Sequence, residues 1–513
     1  MGNLGSTLAQ WTEFVATCGA SADRDVLVVV DPISTGLILV QQALARGLEV
    51  VAVWSESVPD QLKQFVAKGI NVRYIGVVQH EEGNIASTTA TVRAIVGDRR
   101  LRAVLVGCET GVLLGDELSE ALGVPTNGTA NSPLRRNKWL QTEAVRDAGL
   151  NACGQYLVNS TKDVEKVLKA WPKGKFKAVV KPVVGAGSDG VSICDTHQQV
   201  RDAFRALEGT KNVLGLTTYE VLIQEYLVGE EYVVDCVSRD GEHKCVAIWK
   251  YDKRVYNASP VVYFGMELLE VDAEPALRAM VTYTLKVLDA IGIRHGAMHC
   301  EIKLEPRGPV LIEVNCRLHG GEGTWAPMSE ACLGYSMVSA LLDATLEPEA
   351  FAALPPLPTA FKSYAMEAKL RSPVDGVLKS IDEKGMATIR ALPSYTTEML
   401  AVTVGRPIAR TIDAVSACGN INLVNADKYT LNADYAKLHE VVGKGLFETE
   451  EGEAEPEATS LSHFLAQSPP SSPAARAFRT FTPSPKDGNA PGGRPVLPLA
   501  PSPPPAERVV IRA

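Results

Sequence analysis

The patterned part of the chain begins at Asp25, where Val26-Leu27-Val28-Val29-Val30 is an unbroken apolar run of strand length. Gly36 to Arg46 follows as an apolar helix and Val50–Trp54 as a second strand. The strand signal returns at Val72–Val77 and Ala103–Val106, with helical stretches at Pro59–Lys68, Ser87–Val96 and Leu113–Leu122. Continuous apolar strands alternating with helices predict a parallel sheet covered on both faces, because a strand buried on both sides shows no polar alternation. The turn Asp31-Pro32-Ile33-Ser34-Thr35-Gly36 lacks GxGxxG, so a dinucleotide site is not indicated.

After a linker at Asn131–Arg136 the pattern changes. A helix over Asn137–Leu150 leads to strands at Ala178–Lys181, Val191–Cys194, Val221–Glu225, Glu231–Ser238 and His243–Tyr251 around one helix, Gln198–Leu207. A long helix, Glu274–Ile291, precedes the strands Gly296–Leu304 and Pro309–Asn315, and a helix near Tyr335–Leu346 closes the region. Hairpins with a few helices predict an α+β domain. Pro355-Pro356-Leu357-Pro358 is a break, and Phe361–Val442 reads as short strands with small helices. From Phe447 periodicity ends: Glu448–Glu457 is acidic, and 13 of the 31 prolines lie after residue 450. Such a segment buries too little apolar surface to offset its chain entropy. The expected organisation is a flexible start (1–24), an α/β parallel-sheet domain (25–132), an α+β domain (133–354), a small β-rich C-terminal subdomain (355–446) and a disordered Pro/Ser-rich tail (447–513).

Composition narrows the classes of function. The 513 residues are 46% hydrophobic and carry a formal charge of −9, which argues against general nucleic-acid binding. No apolar run reaches 18 residues, so no transmembrane segment is expected. The ten cysteines are scattered without CxxC, the usage of reduced thiols, and the expected location is the cytoplasm. Met1-Gly2-Asn3-Leu4-Gly5-Ser6 fits the template for an N-myristoyl anchor at Gly2, and an ordinary chain start fits it equally.

Three motifs carry chemistry. In Val179-Val180-Lys181-Pro182-Val183-Val184-Gly185-Ala186-Gly187-Ser188-Asp189-Gly190, a strand delivers a lysine to a glycine-rich turn. Glycines let backbone N–H groups approach phosphate oxygens, and Lys181 adds a point charge. A plain hairpin with a flexible tip fits that turn too. In Gln224-Glu225-Tyr226-Leu227-Val228-Gly229-Glu230-Glu231, a strand end offers backbone groups to an adenine edge and a carboxylate to ribose hydroxyls; two solvated acids are the plain alternative. The third pairs His299-Cys300-Glu301 with Glu313-Val314-Asn315-Cys316-Arg317. Alternation puts Glu313 and Asn315 on one face, where Glu301 joins them in an all-oxygen set suited to Mg²⁺. Arg317 can fork onto a phosphate or carboxylate. Cys300 and Cys316 turn to the other face as buried thiols. His299, His319 with Gly320 beside it, and Glu109 at the carboxyl end of the Val104–Gly107 strand are substrate-side candidates. Helix capping by Glu109 or Thr110 is the alternative.

The order Lys138, Lys181 with its glycine loop, Gln224–Glu231, Glu301, then Glu313-x-Asn315-x-Arg317 resembles the ATP-grasp superfamily, over roughly Asp25 to Val442. Within it the chain looks most like the L-amino acid ligases, whose C-terminal segment Ser372-Pro373-Val374-Asp375-Gly376-Val377 also resembles. The resemblance implies an α+β ATP-grasp domain at 133–354. It implies an ATP- and Mg²⁺-dependent carboxylate–amine ligase that forms an amide through an acyl phosphate, on amino-acid-like substrates. It would place Lys138, Lys181, Gly185, Gly187, Ser188 and Gly190 on the phosphates. Gln224, Glu225, Tyr226 and Leu227 would line the adenine, with Glu231 on the ribose. Glu301, Glu313 and Asn315 would hold two Mg²⁺ ions, for which Mn²⁺ could substitute, and Arg317 and Lys181 would be catalytic. Superfamily members are often homodimers. The loop His319-Gly320-Gly321-Glu322-Gly323-Thr324-Trp325 departs from that of well-known members, which leaves the substrate open. The alternatives are a carboxylase or purine-type ligase of the same superfamily, or a nucleotide-binding protein without turnover. The intact Glu301, Glu313, Asn315 and Arg317 set argues against the last.

Overall fold

The computed structural model describes residues 24–450 apart from 61, 64–71, 186–188 and 212–216. Gly2, Gly187, Ser188, most of the helix expected at Pro59–Lys68 and the tail beyond 450 therefore lie outside the described residues. Among the described residues, no helix is long and apolar enough to cross a membrane.

Strands β1 (Val26–Val30), β2 (Glu49–Trp54), β3 (Gly76–Gln79) and β4 (Leu101–Val106) form an all-parallel sheet in the order β3-β2-β1-β4. Every residue of β1 is buried, as its unbroken apolar run required. β3 starts at Gly76 rather than Val72 because it is an edge strand in which only Val78 is buried. The tips of β1 and β4 touch: a Cβ at Gly36 would stand 2.7 Å from Gly107 Cα, and one at Gly107 would stand 2.5 Å from the Asp31 carbonyl. Only glycine permits that approach.

A second sheet contains β5 (Gln155–Val158), β6 (Ala178–Pro182), β7 (Ser192–Cys194) and β8 (Val221–Glu225), antiparallel in the order β5-β8-β6-β7. Helices Thr161–Ala170 and His197–Leu207 cover it through Val164, Val167, Leu168, Val200, Phe204 and Leu207.

The largest sheet takes β9 (Glu230–Arg239), β10 (Glu242–Tyr256), β11 (Ser259–Leu268), β12 (Gly296–Glu305) and β13 (Gly308–Asn315), then crosses into β14 (Tyr364–Leu370). The remaining strands are β15 (Gly376–Ile381), β16 (Tyr395–Leu400), β17 (Pro407–Ile408), β18 (Gly419–Asn425) and β19 (Phe447–Glu450). The eight-stranded order is β13-β12-β9-β10-β11-β14-β18-β16, and β17-β15-β19 form a separate small sheet. One face of the large sheet packs on helix Leu277–Ala290 through Val234, Cys236, Cys300 and Val314. The other packs toward the N-terminal domain through Val233, Val237, Trp249 and Trp325.

Three differences from the sequence reading have physical causes. β5 and helix Thr161–Ala170 went unread, since the first is short and the second mixed in polarity, and β11, which returns from β10 through the tight turn at Asn257-Ala258, went unread as well. The region after Pro358 keeps its own core but extends the large sheet through the β11–β14 pairing. The expected tail start at 447 is too early: Phe447 is buried and β19 pairs with β15, Ile381 opposite Phe447.

Candidate active site

Register builds the site. Across β12 and β13, His299 faces Asn315 and Glu301 faces Glu313, and across β12 and β9, His299 faces Asp235. Alternation puts all five side chains on one face, with Cys300 in the core behind them.

Two carboxylates directly opposite repel, so the company of Glu313 matters. Lys138 Nζ lies 2.7 Å from Glu313 Oε2 and donates to the Gly185 carbonyl at 3.1 Å. Lys138 opens helix Lys138–Asp147, whose N-cap Asn137 accepts the Leu140 N–H at 3.0 Å. Gln141 fixes that helix to β13, donating to the Val314 carbonyl at 2.8 Å and accepting its N–H at 3.0 Å. Buried Lys181 comes from β6; burial pulls its pKa down, against the charge of Glu313. Burial would raise the Glu313 carboxyl, but Lys138 and Lys181 outweigh it and bring it down to about 2. Burial and Glu313 likewise oppose ionisation of Glu301, yet His299 and Lys253 hold it below the usual carboxylate range. Glu301, Glu313 and Asn315 are hard oxygen donors around a patch of concentrated negative charge, a set that fits Mg²⁺.

Arg317 leaves the end of β13 and donates through Nε to Glu109 Oε2 at 2.9 Å. Arg136 donates to the other Glu109 oxygen. Glu109 thus sits at the carboxyl end of β4 with a guanidinium on each arm.

Behind them lies a buried carboxylate. Asp235 on β9 is 0% exposed and accepts three N–H groups: His299 Nδ1 at 3.0 Å, His319 Nδ1 at 2.9 Å and Trp249 Nε1 at 2.9 Å. Burial would raise its pKa, but the two imidazoles hold it well below the carboxylate range. His299 Nε2 lies 3.4 Å from Glu301 Oε1, and the His319 ring stacks on Trp325 at 5.2 Å.

Near the end of β8, Gln224 donates to Gln155 at 2.9 Å, Leu227 packs on Cys153 and Val310, and Lys177 Nζ stands 4.1 Å over the Tyr226 ring. The Glu225 side chain turns back to accept the Gly154 N–H at 2.7 Å and pairs with Arg307. Glu231 is held by Lys253 and, at 3.6 Å, by Lys303.

Comparisons place this geometry. Residues 174–325 match the model of the ATP-grasp domain. The chain is 32% identical over 334 residues to dapdiamide A synthase of Enterobacter agglomerans, covering 64% of this chain and 75% of that one. Among solved structures, the L-amino acid ligase of Bacillus licheniformis superposes with a TM-score of 0.64 at 17% identity, covering 85% of this chain and 100% of that one. Carboxyaminoimidazole ribonucleotide synthase of Aspergillus clavatus superposes at 0.59 and 14% identity, covering 82% and 99%, a likeness of fold alone. The chain belongs to the ATP-grasp carboxylate–amine ligases. It is an ATP-dependent enzyme that forms amide bonds.

In this ligase the structure brings Lys138, Lys181, Gly185, Glu301, Glu313 and Asn315 to one place, with Arg317 and Glu109 beside them. Gly190, at a φ of +71°, lies two residues past the undescribed stretch 186–188. His299 and His319 meet at a ring separation of 4.2 Å, with Gly320 following. Asp235, Arg136 and Lys253 were not anticipated. Asp235 did carry a signal: an acid inside Tyr232-Val233-Val234-Asp235-Cys236-Val237 must be partnered, since an unpaired buried charge is very costly.

Proposed function

We propose that this ligase activates an amino-acid-like carboxylate as an acyl phosphate and passes the acyl group to an amine. The observation that carries the reading is the meeting of Glu301, Glu313 and Asn315 with Lys138, Lys181 and Arg317 on one sheet face. A substrate carboxylate oxygen attacks the γ-phosphorus of ATP, and the bond to ADP breaks. The amine then attacks the acyl carbon; phosphate leaves and the nitrogen loses a proton. Phosphoryl transfer asks for positioning and charge neutralisation. Lys138 and Lys181 supply cations to the polyphosphate. Arg317, steered by Glu109, meets the transferring group and the acyl phosphate. Glu301, Glu313 and Asn315 would hold two Mg²⁺ ions, which neutralise charge between the phosphates when bound. Gln224, the Glu225 backbone, Tyr226 and Leu227 line the adenine, with Glu231 toward the ribose. The free cysteines of the described residues suit a reducing compartment, so we place the enzyme in the cytoplasm.

The test is phosphate release from ATP and Mg²⁺ with pairs drawn from the common amino acids. Release that needs both a carboxylate and an amine is expected. Release dependent on bicarbonate would instead make the enzyme a carboxylase.

A further inference from the structure

The loop Leu318–Trp325, which follows Arg317, is fastened from three directions. From the N-terminal domain, Thr35 Oγ1 donates to the carbonyls of His319 at 2.6 Å and Gly320 at 3.3 Å, and Ser34 Oγ accepts the Glu322 N–H at 3.2 Å. From β14 and β18, Glu367 accepts Thr324 Oγ1 at 2.8 Å and Asn422 donates to the Thr324 carbonyl at 2.6 Å. From β9, Asp235 accepts the His319 Nδ1–H. The first set takes the backbone of the root residue His319 as well as Gly320 and Glu322, and the second takes Thr324 at the rim. Asp235 grips a buried side chain at the loop's root, two residues from Arg317.

Asp235 also reaches the metal strand. Its Oδ2 takes His319 and Trp249, its Oδ1 takes His299, and the far nitrogen of His299 lies 3.4 Å from Glu301. One carboxylate therefore ties the loop to strand β12. Asp235, His299 and His319 offer three ligand atoms within 4.8 Å of one another, which raises a metal as the alternative. The Trp249 indole argues against it: its N–H points at the same oxygen that receives His319, and an indole N–H is a donor only. Trp325 stacked on His319 and Trp249 edge-on at 5.9 Å enclose the cluster.

We propose that Asp235 is a positioning residue, which holds His319 and His299 by their Nδ1–H groups and so seats the loop Leu318–Trp325 against Arg317 for the carboxylate substrate. The proposal rests on the site assignment above. An asparagine at 235 removes the charge and one of the two acceptors, so the imidazole that meets its NH₂ stays bonded only by moving its own proton to Nε2.

The test uses the full chain and has an arm that needs no turnover. By hydrogen–deuterium exchange, Asp235→Asn should speed exchange over Leu318–Trp325 by at least roughly tenfold and leave β12 and β13 unchanged. In turnover, the KM for the carboxylate substrate should rise about 10–100-fold, the usual range for partners that orient a ligand-bearing residue, while the KM for ATP stays within about twofold. His319→Asn, which keeps a donor near the Nδ1 position, should recover most of the loop protection that His319→Ala loses, and His319→Ala should exchange as Asp235→Asn does. The double variant Asp235→Asn/His319→Ala should be no worse than either single. If Asp235→Asn does not fold, the two His319 variants decide. Unchanged loop exchange, an equal rise in both KM values, or a stoichiometric transition metal in the wild-type protein that Asp235→Asn loses would each overturn the proposal. Absence of phosphate release by wild type would sink the site assignment, and the exchange arm would still decide whether Asp235 holds the loop.

Discussion

Two carboxylates on one face of the large sheet keep opposite company. Glu313 is matched by Lys138 and Lys181, ammonium groups on flexible stems. Asp235 is matched by two imidazoles and an indole, rigid N–H donors fixed by packing. A lysine can swing aside for an arriving ligand, because its charge is a point on a mobile chain. An aromatic N–H locked in a core cannot. The difference separates a place built to exchange its cation from one built to hold its shape.

Removing each acid tests that difference. Glu313→Ala should lower turnover by at least about 100-fold and destabilise the fold by less than the loss of Asp235 does. Lys181 still has Glu301 nearby, and the repulsion between Glu301 and Glu313 disappears. Asp235→Ala should instead destabilise the fold by about 3–5 kcal/mol, the cost of stripping a buried ionic cluster of one partner. Denaturant unfolding of the two variants side by side is the measurement. Equal stability losses would erase the distinction.

The exchangeable side has its own finer test. Lys181→Ala should weaken ATP binding about tenfold, roughly 1.4 kcal/mol, as read by calorimetry. An unchanged dissociation constant would remove Lys181 from the nucleotide site.

The same contrast governs what could be read before the structure was seen. Glu313 and Asn315 were legible because period-two alternation is local, and an acid after Pro309-Val310-Leu311-Ile312 stands out. Lys181 was legible because a glycine turn follows it. Asp235 was visible as an acid among valines, but its partner His319 is 84 residues away, brought in by the β9–β12–β13 order. Arg136 looked like linker, although its partner Glu109 lies 27 residues back on another domain. The passage of the sheet from β11 into β14 is likewise a long-range pairing that no local pattern encodes. Sequence reading thus named residues from several parts of the site, Lys138, Lys181, Glu109 and His319 among them, and missed the buried partners Asp235, Arg136 and Lys253 that join them.

Half-buried His439 sharpens the comparison, because it has cations where His299 and His319 have Asp235. Arg371 Nη1 donates to His439 Nδ1 at 3.2 Å, and the His439 Nε2 is buried. Arg371 and Arg254 lie 3.6 Å and 4.5 Å from the Phe264 ring centroid, and that ring packs on His439 at 5.6 Å. Protonating His439 would set N–H against N–H. Burial first, then Arg371 and Arg254, push its pKa down to about 3, against a weaker pull from Asp252. The unfolded chain takes that proton near pH 6.5, so between about pH 6.5 and 3 the unfolded state binds more protons than the folded one. The stabilising effect of the neutral ring is complete above about 6.5 and fades as pH falls through that window. His439→Gln, which keeps an acceptor for Arg371, should flatten the pH dependence of unfolding there by about 1 kcal/mol per pH unit. The same window should show no comparable slope from Asp235, whose imidazole partners keep it ionised well below it. An unaltered slope in His439→Gln would mean that other groups drive acid unfolding and that the company a buried histidine keeps matters less than its burial.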